Sequence, residues 1–161
     1  MADNFEHEEL DFFEANNTFK EMLKRNLSAS QIARITDFAY QYSAYADTLF
    51  STLMEVLQET PVLQRLNCFY VIDNIFKHKL KANSDCYFIP IKANLEQIVY
   101  IVIDCQPNAL ENDKSIQSEG FVNVASVKKV LALWKLKKLI SPGRHDDLAA
   151  FLTSCSELAS R

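Results

Sequence analysis

The sequence predicts an all-α domain of about seven or eight helices, stacked as a superhelix rather than as a four-helix bundle. Its 161 residues include only two glycines and four prolines, a composition that disfavours sandwiches, barrels and glycine-rich phosphate loops. Apolar residues recur at helical spacing along most of the chain. Hydrophobic residues make up 48% of the composition, so residues 1–161 are expected to form one domain with its own core.

The first half of the chain is predicted to contain four helices, separated by capping or breaking residues. The first is expected at about Asn4 to Lys24, and the second from a cap at Ser28 or Ser30 through Tyr42. The third is expected at about 44–59 and the fourth at 65–81. A serine before a helix accepts hydrogen bonds from free backbone N–H groups. Thr60-Pro61 ends the third helix, and Pro61 suits the first turn of the fourth.

The second half is predicted to hold three further helices and one long weak region. Helix five has Pro90 near its start and includes LEQIVYIVID, which is β-branched but has no second strand to pair with. Residues 106–123 are expected to be an ordered loop with one short helical turn around 115–118. The last two helices are expected at about Val124 to Ile140, ended by Ser141-Pro142-Gly143, and at about His145 to Ala159.

The charge distribution and the cysteine spacing argue against several classes of protein. A net charge of −4 excludes a wholly basic nucleic-acid-binding surface. Acidic residues crowd positions 1–14, and basic ones cluster near 77–81 and 128–138, where a solvated helix face is the ordinary interpretation. The four cysteines are widely spaced without C-x-x-C, typical of a reduced compartment without zinc. The acidic start disfavours a signal peptide, and no run of 18 apolar residues predicts a membrane span.

No pattern in the sequence indicates an enzyme. His7-Glu8-Glu9-Leu10-Asp11 is similar to a zinc-binding helix, but Asp11 stands where the second histidine belongs. A glycine-rich loop, a nucleophile elbow and a kinase signature are all missing. We therefore expect no catalytic residue, no metal and no cofactor.

Asp73 is the most informative residue because it interrupts the apolar run of RLNCFYVIDNIFKHKLK, residues 65–81. A carboxylate in a buried helix costs several kcal/mol unless it is hydrogen-bonded or reaches a groove. Two interpretations stay open. Asp73 is either satisfied by a neighbouring tyrosine or backbone donor, or it is a groove acceptor for a partner's hydroxyl.

The same stretch resembles the fourth helix of the domains that bind the C-terminal repeat tail of RNA polymerase II, the CID family. The family pattern there is roughly Y-x-x-D-S-I-x-K-N, and this chain has Tyr70, Asp73, Asn74, Ile75 and Lys77. A second similarity is VKKVLALWKLKKLIS, which places Trp134 in an apolar stripe as the family does; we expect this tryptophan in the core. The resemblance covers about residues 10–140 and implies a right-handed, CID/VHS-like superhelix.

The resemblance implies a peptide-binding surface. Its candidate residues are Asn26, Tyr70, Asp73, Asn74, Lys77, Lys128 and Lys129. In the family the matching aspartate accepts a hydrogen bond from the tyrosine of the repeat, and an arginine near the start of the sixth helix pairs with phosphoserine. Lys128 and Lys129 stand there instead, without the bidentate fork of arginine. Asn26 is equally a helix-ending residue beside a capping serine. Asn74 for serine and His78 for asparagine indicate a divergent member.

Within this family the chain is most similar to the N-terminal domain of the gamma subunits of fungal C-terminal-domain kinase I. The resemblance implies a nuclear, non-catalytic regulatory subunit, with more of the subunit following residue 161. Its partners would be a cyclin-dependent-type kinase and a cyclin-like subunit, in a complex that phosphorylates the polymerase repeat on its second serine during elongation. The polymerase repeat itself is a further candidate partner, and neither a membrane nor nucleic acid is expected.

Two other functions stay open. The first is a direct reader of phosphorylated repeat peptides in 3′ processing and termination. The second is an endocytic adaptor, because vesicle-trafficking domains use a related superhelix. The acidic first helix disfavours the adaptor, which should carry a basic amphipathic helix or a lipid-binding patch.

Overall fold

The computed structural model describes residues 9–160, and helices make up most of them. The helices are α1 (Phe12–Leu23), α2 (Ala29–Gln41), α3 (Ala46–Glu59), α4 (Arg65–Lys77), α5 (Lys79–Ala82), α6 (Phe88–Ala93), α7 (Leu95–Ile103), α8 (Pro107–Asn112), α9 (Val124–Leu136) and α10 (Pro142–Ala159). Three 3₁₀ turns, Ser43–Tyr45, Val62–Gln64 and Glu119–Asn123, connect them. Residues 9–160 contain no strand, which confirms the all-α prediction.

The first helix starts later than the sequence suggested. Asp11 Oδ1 accepts the backbone N–H of Glu14 at 2.9 Å, and Glu14 Oε1 accepts that of Asp11 at 3.3 Å. This reciprocal capping box fixes the start of α1 at Phe12, so the expected helix over 9–11 was wrong. Residues 4–8, with the His7-Glu8 part of the zinc-like pattern, lie outside the described residues. The predicted cap of α2 is confirmed, because Ser28 Oγ accepts from Gln31 N at 3.2 Å.

Several predicted helices in the middle of the chain are interrupted. The expected helix over 65–81 divides into α4 and α5 at His78, a single turn residue between the two helices. The third helix begins at Ala46 after a 3₁₀ turn, and Pro61 precedes another 3₁₀ turn instead of the first turn of α4. LEQIVYIVI is helical as predicted, but Asn94 separates it from the helix containing Pro90.

The weak region and its flanks also differ from expectation. Residues 107–112 form α8, whereas 116–118 are not helical and a 3₁₀ turn follows at 119–123. Helix α9 ends at Leu136 rather than at Ile140, because Lys138 adopts a left-handed φ of 60°. Ser141 starts the last helix instead of ending the previous one: its Oγ accepts from Arg144 N at 3.2 Å, and Pro142 occupies the first helical turn.

Aromatic side chains occupy the centre of a single core. Trp134 is fully buried, with its ring centroid 4.6 Å from that of Phe76 and 5.7 Å from that of Phe69. The prediction that Trp134 belongs to the core is confirmed. Among the described helices, none combines the length and the apolarity that crossing a membrane requires.

Helices α4 and α9 lie side by side and run in the same direction. At their starts the turn 62–64 contacts the turn 119–123, and Asn123 Nδ2 donates to Val62 O at 3.3 Å and to Val102 O at 2.9 Å. Towards their ends, Trp134 contacts Phe76. The C-terminal ends of α4 and α9 therefore lie close together.

Candidate peptide-docking site on helix α4

Asp73 has two hydrogen-bond donors from within the chain. Its Oδ1 accepts the indole N–H of Trp134 at 2.7 Å, and its Oδ2 accepts Lys77 Nζ at 3.1 Å. The side chain is only 15% exposed, so both partners offset the cost of burying its charge. The carboxylate is satisfied, although not by the tyrosine or backbone donor that one interpretation expected. Its role as an acceptor for a partner's hydroxyl stays a prediction.

Four of the candidate residues share one face of α4. Tyr70, Asp73, Asn74 and Lys77 are separated by three or four positions, which places them on one side of a helix. Asn74 Nδ2 donates to Thr36 Oγ1 in α2 at 2.7 Å. Since Asp73 is bonded to α9, this face of α4 is fixed to a neighbouring helix on each side.

The other three candidates lie apart from this face. Asn26 is exposed in the loop between α1 and α2, where it lines a cleft of about 650 Å³ with Asn67 at the start of α4. Lys128 Nζ donates to Thr153 Oγ1 at 2.8 Å, so this lysine reaches towards α10 rather than towards α4. Lys129 is exposed. The structure therefore does not place the two lysines beside Asp73, and a peptide-binding role for these three residues stays a prediction.

Trp134 and Thr36, the hydrogen-bond donor to Asp73 and the acceptor from Asn74, were not identified as such from the sequence. A buried indole N–H requires an acceptor, and Asp73 was a buried acceptor without an assigned donor. Pairing the unassigned indole donor with the unassigned carboxylate acceptor would have predicted the Trp134–Asp73 hydrogen bond. Thr36 offered no comparable signal, because nothing in the sequence relates it to Asn74.

Tyr40 supports the C-terminal end of α4 from α2. Its hydroxyl donates to Ile75 O at 2.8 Å, and its ring centroid lies 4.5 Å from that of His78. Burial, with a smaller contribution from Cys86, raises the pKa of Tyr40 to about 12. The phenol therefore remains a neutral hydrogen-bond donor at physiological pH.

The described residues contain no group of three or more histidine, cysteine, aspartate or glutamate side chains placed to hold a metal ion. Asp73 and Asn74 on the α4 face are instead hydrogen-bonded to Lys77 of the same helix and to side chains of the neighbouring helices α9 and α2. This arrangement suits a surface that presents a fixed shape to a partner.

Comparison with known proteins relates the chain to subunits of a kinase complex. The family model described as CTD kinase subunit gamma CTK3 matches residues 10–141. The CTD kinase subunit gamma of Schizosaccharomyces pombe is 27% identical over 144 residues, which are 88% of this chain and 61% of that protein. The chain thus spans less than two thirds of the length of this relative.

Two solved structures share the fold. A non-canonical CID of Ctk3 superposes with a TM-score of 0.77 and 23% identity, covering 92% of this chain and 99% of that one. The CTD-interacting domain of Seb1 from S. pombe has a TM-score of 0.69 and 13% identity, with coverages of 91% and 99%. These similarities confirm the predicted CID-like helical fold.

Proposed function

The chain belongs to the CTD kinase subunit gamma family, and from that membership we propose that it is a non-catalytic subunit of a nuclear kinase complex. The complex would phosphorylate the C-terminal repeat of RNA polymerase II on its second serine during elongation. Its other members would be a cyclin-dependent-type kinase and a cyclin-like subunit. The observation that carries this proposal is the family match over residues 10–141, which includes every helix from α1 to α9.

The geometry of the α4 face supports assembly rather than chemistry. Asp73 is bonded to Trp134 and Lys77, and Asn74 is bonded to Thr36. Side chains that their neighbours hold in place provide a surface of constant shape, which lowers the conformational entropy lost when a partner subunit binds.

A second candidate function is the direct reading of polymerase repeat peptides. It is favoured by the partial exposure of Asp73, at 15%, on a face shared with Tyr70 and Lys77. A carboxylate has about four lone-pair sites, so Asp73 retains capacity for a further donor besides its two internal ones.

Coexpression distinguishes these two functions. The full chain is produced with the kinase and the cyclin-like subunit of the same organism, and the mixture is separated by affinity and size. We expect the three chains to elute together, and labelled repeat peptides to bind the isolated chain with a Kd weaker than about 1 mM. Failure to co-elute, together with micromolar, phosphate-dependent binding that Asp73→Ala abolishes, would establish the reader instead.

A further inference from the structure

Aromatic contacts bring the end of α4, the helix α6 and the end of α9 together at one end of the molecule. Phe88 in α6 stacks on Phe76 of α4 with 4.8 Å between ring centroids, and Phe76 contacts Trp134 of α9. Lys79 Nζ lies 4.0 Å and Lys92 Nζ 5.4 Å from the centroid of Phe88. Because α4 and α9 are parallel, the lysines that end both helices approach the same region.

An open groove runs along α9 in this region and continues into the segment that follows it. Its apolar lining comes from Ala132, Leu136, Leu139, Ile140 and Pro142, and its volume is about 710 Å³. Leu139 and Ile140 are nearly buried, at 4% and 3% exposure. Leu136 is 77% exposed, more than any other large hydrophobic side chain among residues 9–160.

Lysines line the same groove. They are Lys92, Lys135 and Lys138. Lys135 Nζ pairs with Asp146 Oδ1 at 3.2 Å, whereas neither Lys92 nor Lys138 has a carboxylate partner among the described residues. Lys138 is held in a left-handed conformation, with a φ of 60°, at the end of the groove. An apolar groove with two lysines that have no carboxylate partner within residues 9–160 thus occurs in a chain whose net charge is −4.

We propose that this groove docks an acidic amphipathic segment of a partner subunit in the kinase complex. Apolar side chains of the segment cover Leu136 and Leu139, and its carboxylates pair with Lys92 and Lys138. The inference rests on the proposed function and adds to it the surface by which the domain assembles. Charge complementarity selects an acidic partner, because its carboxylates supply the counter-charges that these two lysines do not receive from residues 9–160.

The shape of the groove disfavours other anionic partners. Nucleic acid would pair with the lysines but would leave the exposed Leu136 uncovered, and its affinity comes largely from phosphate contacts. A membrane needs an apolar face that projects into the lipid. Here Leu139 and Ile140 lie at the bottom of a concave surface, and only Leu136 projects.

The test compares variants of the full chain in coexpression with the tagged kinase and cyclin-like subunit. Leu136→Asp and the double variant K92E/K138E place acidic side chains in the groove at exposed positions. Val122→Asp is the matched apolar control, since Val122 is 70% exposed at the opposite end of α9. The double variant R34E/K114E is the matched charge control, since both side chains are exposed and neither lines the groove. We expect both groove variants to lower recovery of the partner subunits at least about tenfold, equivalent to 1.4 kcal/mol, and both controls to match the unmodified chain.

The possible outcomes distinguish failure of the groove proposal from failure of the proposed function. If the unmodified chain recovers neither subunit, the proposed function fails and this inference fails with it. If the unmodified chain recovers them and both groove variants do so equally well, the groove proposal is overturned while the function stands. Equal loss in Val122→Asp would also overturn it. Circular dichroism verifies folding, and the double variant replaces Leu136→Asp if that protein is misfolded.

Two further probes address the other anionic partners. The unmodified chain and Leu136→Asp are tested for binding to phosphatidylserine vesicles and to single-stranded RNA. We expect no retention of either protein. Retention on either probe that the Leu136→Asp substitution removes would overturn the proposal in favour of a lipid or nucleic-acid surface.

Discussion

Trp134 donates its indole N–H to the carboxylate of Asp73 at 2.7 Å, across 61 positions of sequence. This single hydrogen bond joins α9 to α4 and satisfies two buried polar groups at once. Each group would be costly to bury alone. The pair therefore links the two segments on which the resemblance to CID domains rests.

Replacing Trp134 with phenylalanine should destabilise the domain by about 3 kcal/mol. The substitution removes a hydrogen bond to a charged group, worth about 1.5–3 kcal/mol, and leaves a small cavity. Urea unfolding followed by circular dichroism measures the loss. Asp73→Asn is the comparison, because its amide oxygen still accepts the indole N–H, while the charge of that bond and the pairing with Lys77, a side chain 37% exposed, are lost at about 1–2 kcal/mol in total. Equal losses in the two variants would contradict the assigned role of the indole.

The two glycines should respond in opposite ways to alanine. A Cβ on Gly120 would lie 2.2 Å from the carbonyl oxygen of Ile103, whereas one on Gly143 has no neighbouring atom within 4 Å. Since backbone atoms cannot yield as side chains do, Gly120→Ala should cost about 3 kcal/mol or more. Gly143→Ala, in the first turn of α10, should be neutral or stabilising by up to about 1 kcal/mol. Thermal unfolding of the two variants gives the comparison, and similar melting temperatures would contradict it.

Thiol labelling should distinguish Cys86 from the other cysteines. Cys68, Cys105 and Cys155 are buried, at 2%, 5% and 0% exposure, whereas Cys86 is partly exposed. Burial, reinforced by Cys105, raises the pKa of Cys155 to about 12, and the thiolate is the reactive form. Iodoacetamide should therefore modify Cys86 first, and peptide mass spectrometry identifies the modified residue. Comparable early labelling of Cys155 in folded protein would show that α10 opens more readily than its packing indicates.

Stability should fall as the pH rises from 10 towards 12. The pKa of Tyr40 increases from its ordinary value of 10 to about 12 through burial, so the unfolded chain releases this proton before the folded chain does. The contribution of Tyr40 to the free energy of unfolding is fully present below pH 10, and it is lost as the pH passes the pKa of the folded state near 12. Midpoints of urea unfolding measured across this pH range give the slope of stability against pH, and Tyr40→Phe should make this slope smaller. An unchanged slope in that variant would assign the effect to other groups.

Local sequence signals predicted much of the fold but not its interruptions. The Ser28 cap was predicted from the residues at the start of its own helix, whereas LEQIVYIVI was assigned to a helix because the sequence offers no second strand to pair with it. The breaks at His78 and Asn94 were missed because apolar spacing continues across them, and a single turn residue does not interrupt that pattern. Ser141-Pro142 can end one helix or begin the next, and the left-handed Lys138 shows that α9 had already ended.

The candidate site was predictable only in part, for a comparable reason. Helical spacing placed Tyr70, Asp73, Asn74 and Lys77 on one face because their positions depend on α4 alone. Lys128 depends on how α9 packs, and its bond to Thr153 of α10 could not be inferred from either helix separately. The groove along α9 also combines Lys92 with residues 40 or more positions away.

Trp134 is the chain's only tryptophan, and its indole touches the carboxylate that a repeat peptide would use. Its fluorescence is consequently an intrinsic reporter of this site. A ligand that takes over Asp73 would weaken the bond to the indole and change the emission, whereas a partner seated only along the end of α9 would leave the Asp73 contact intact. One unlabelled titration can therefore show which of the two surfaces a partner occupies.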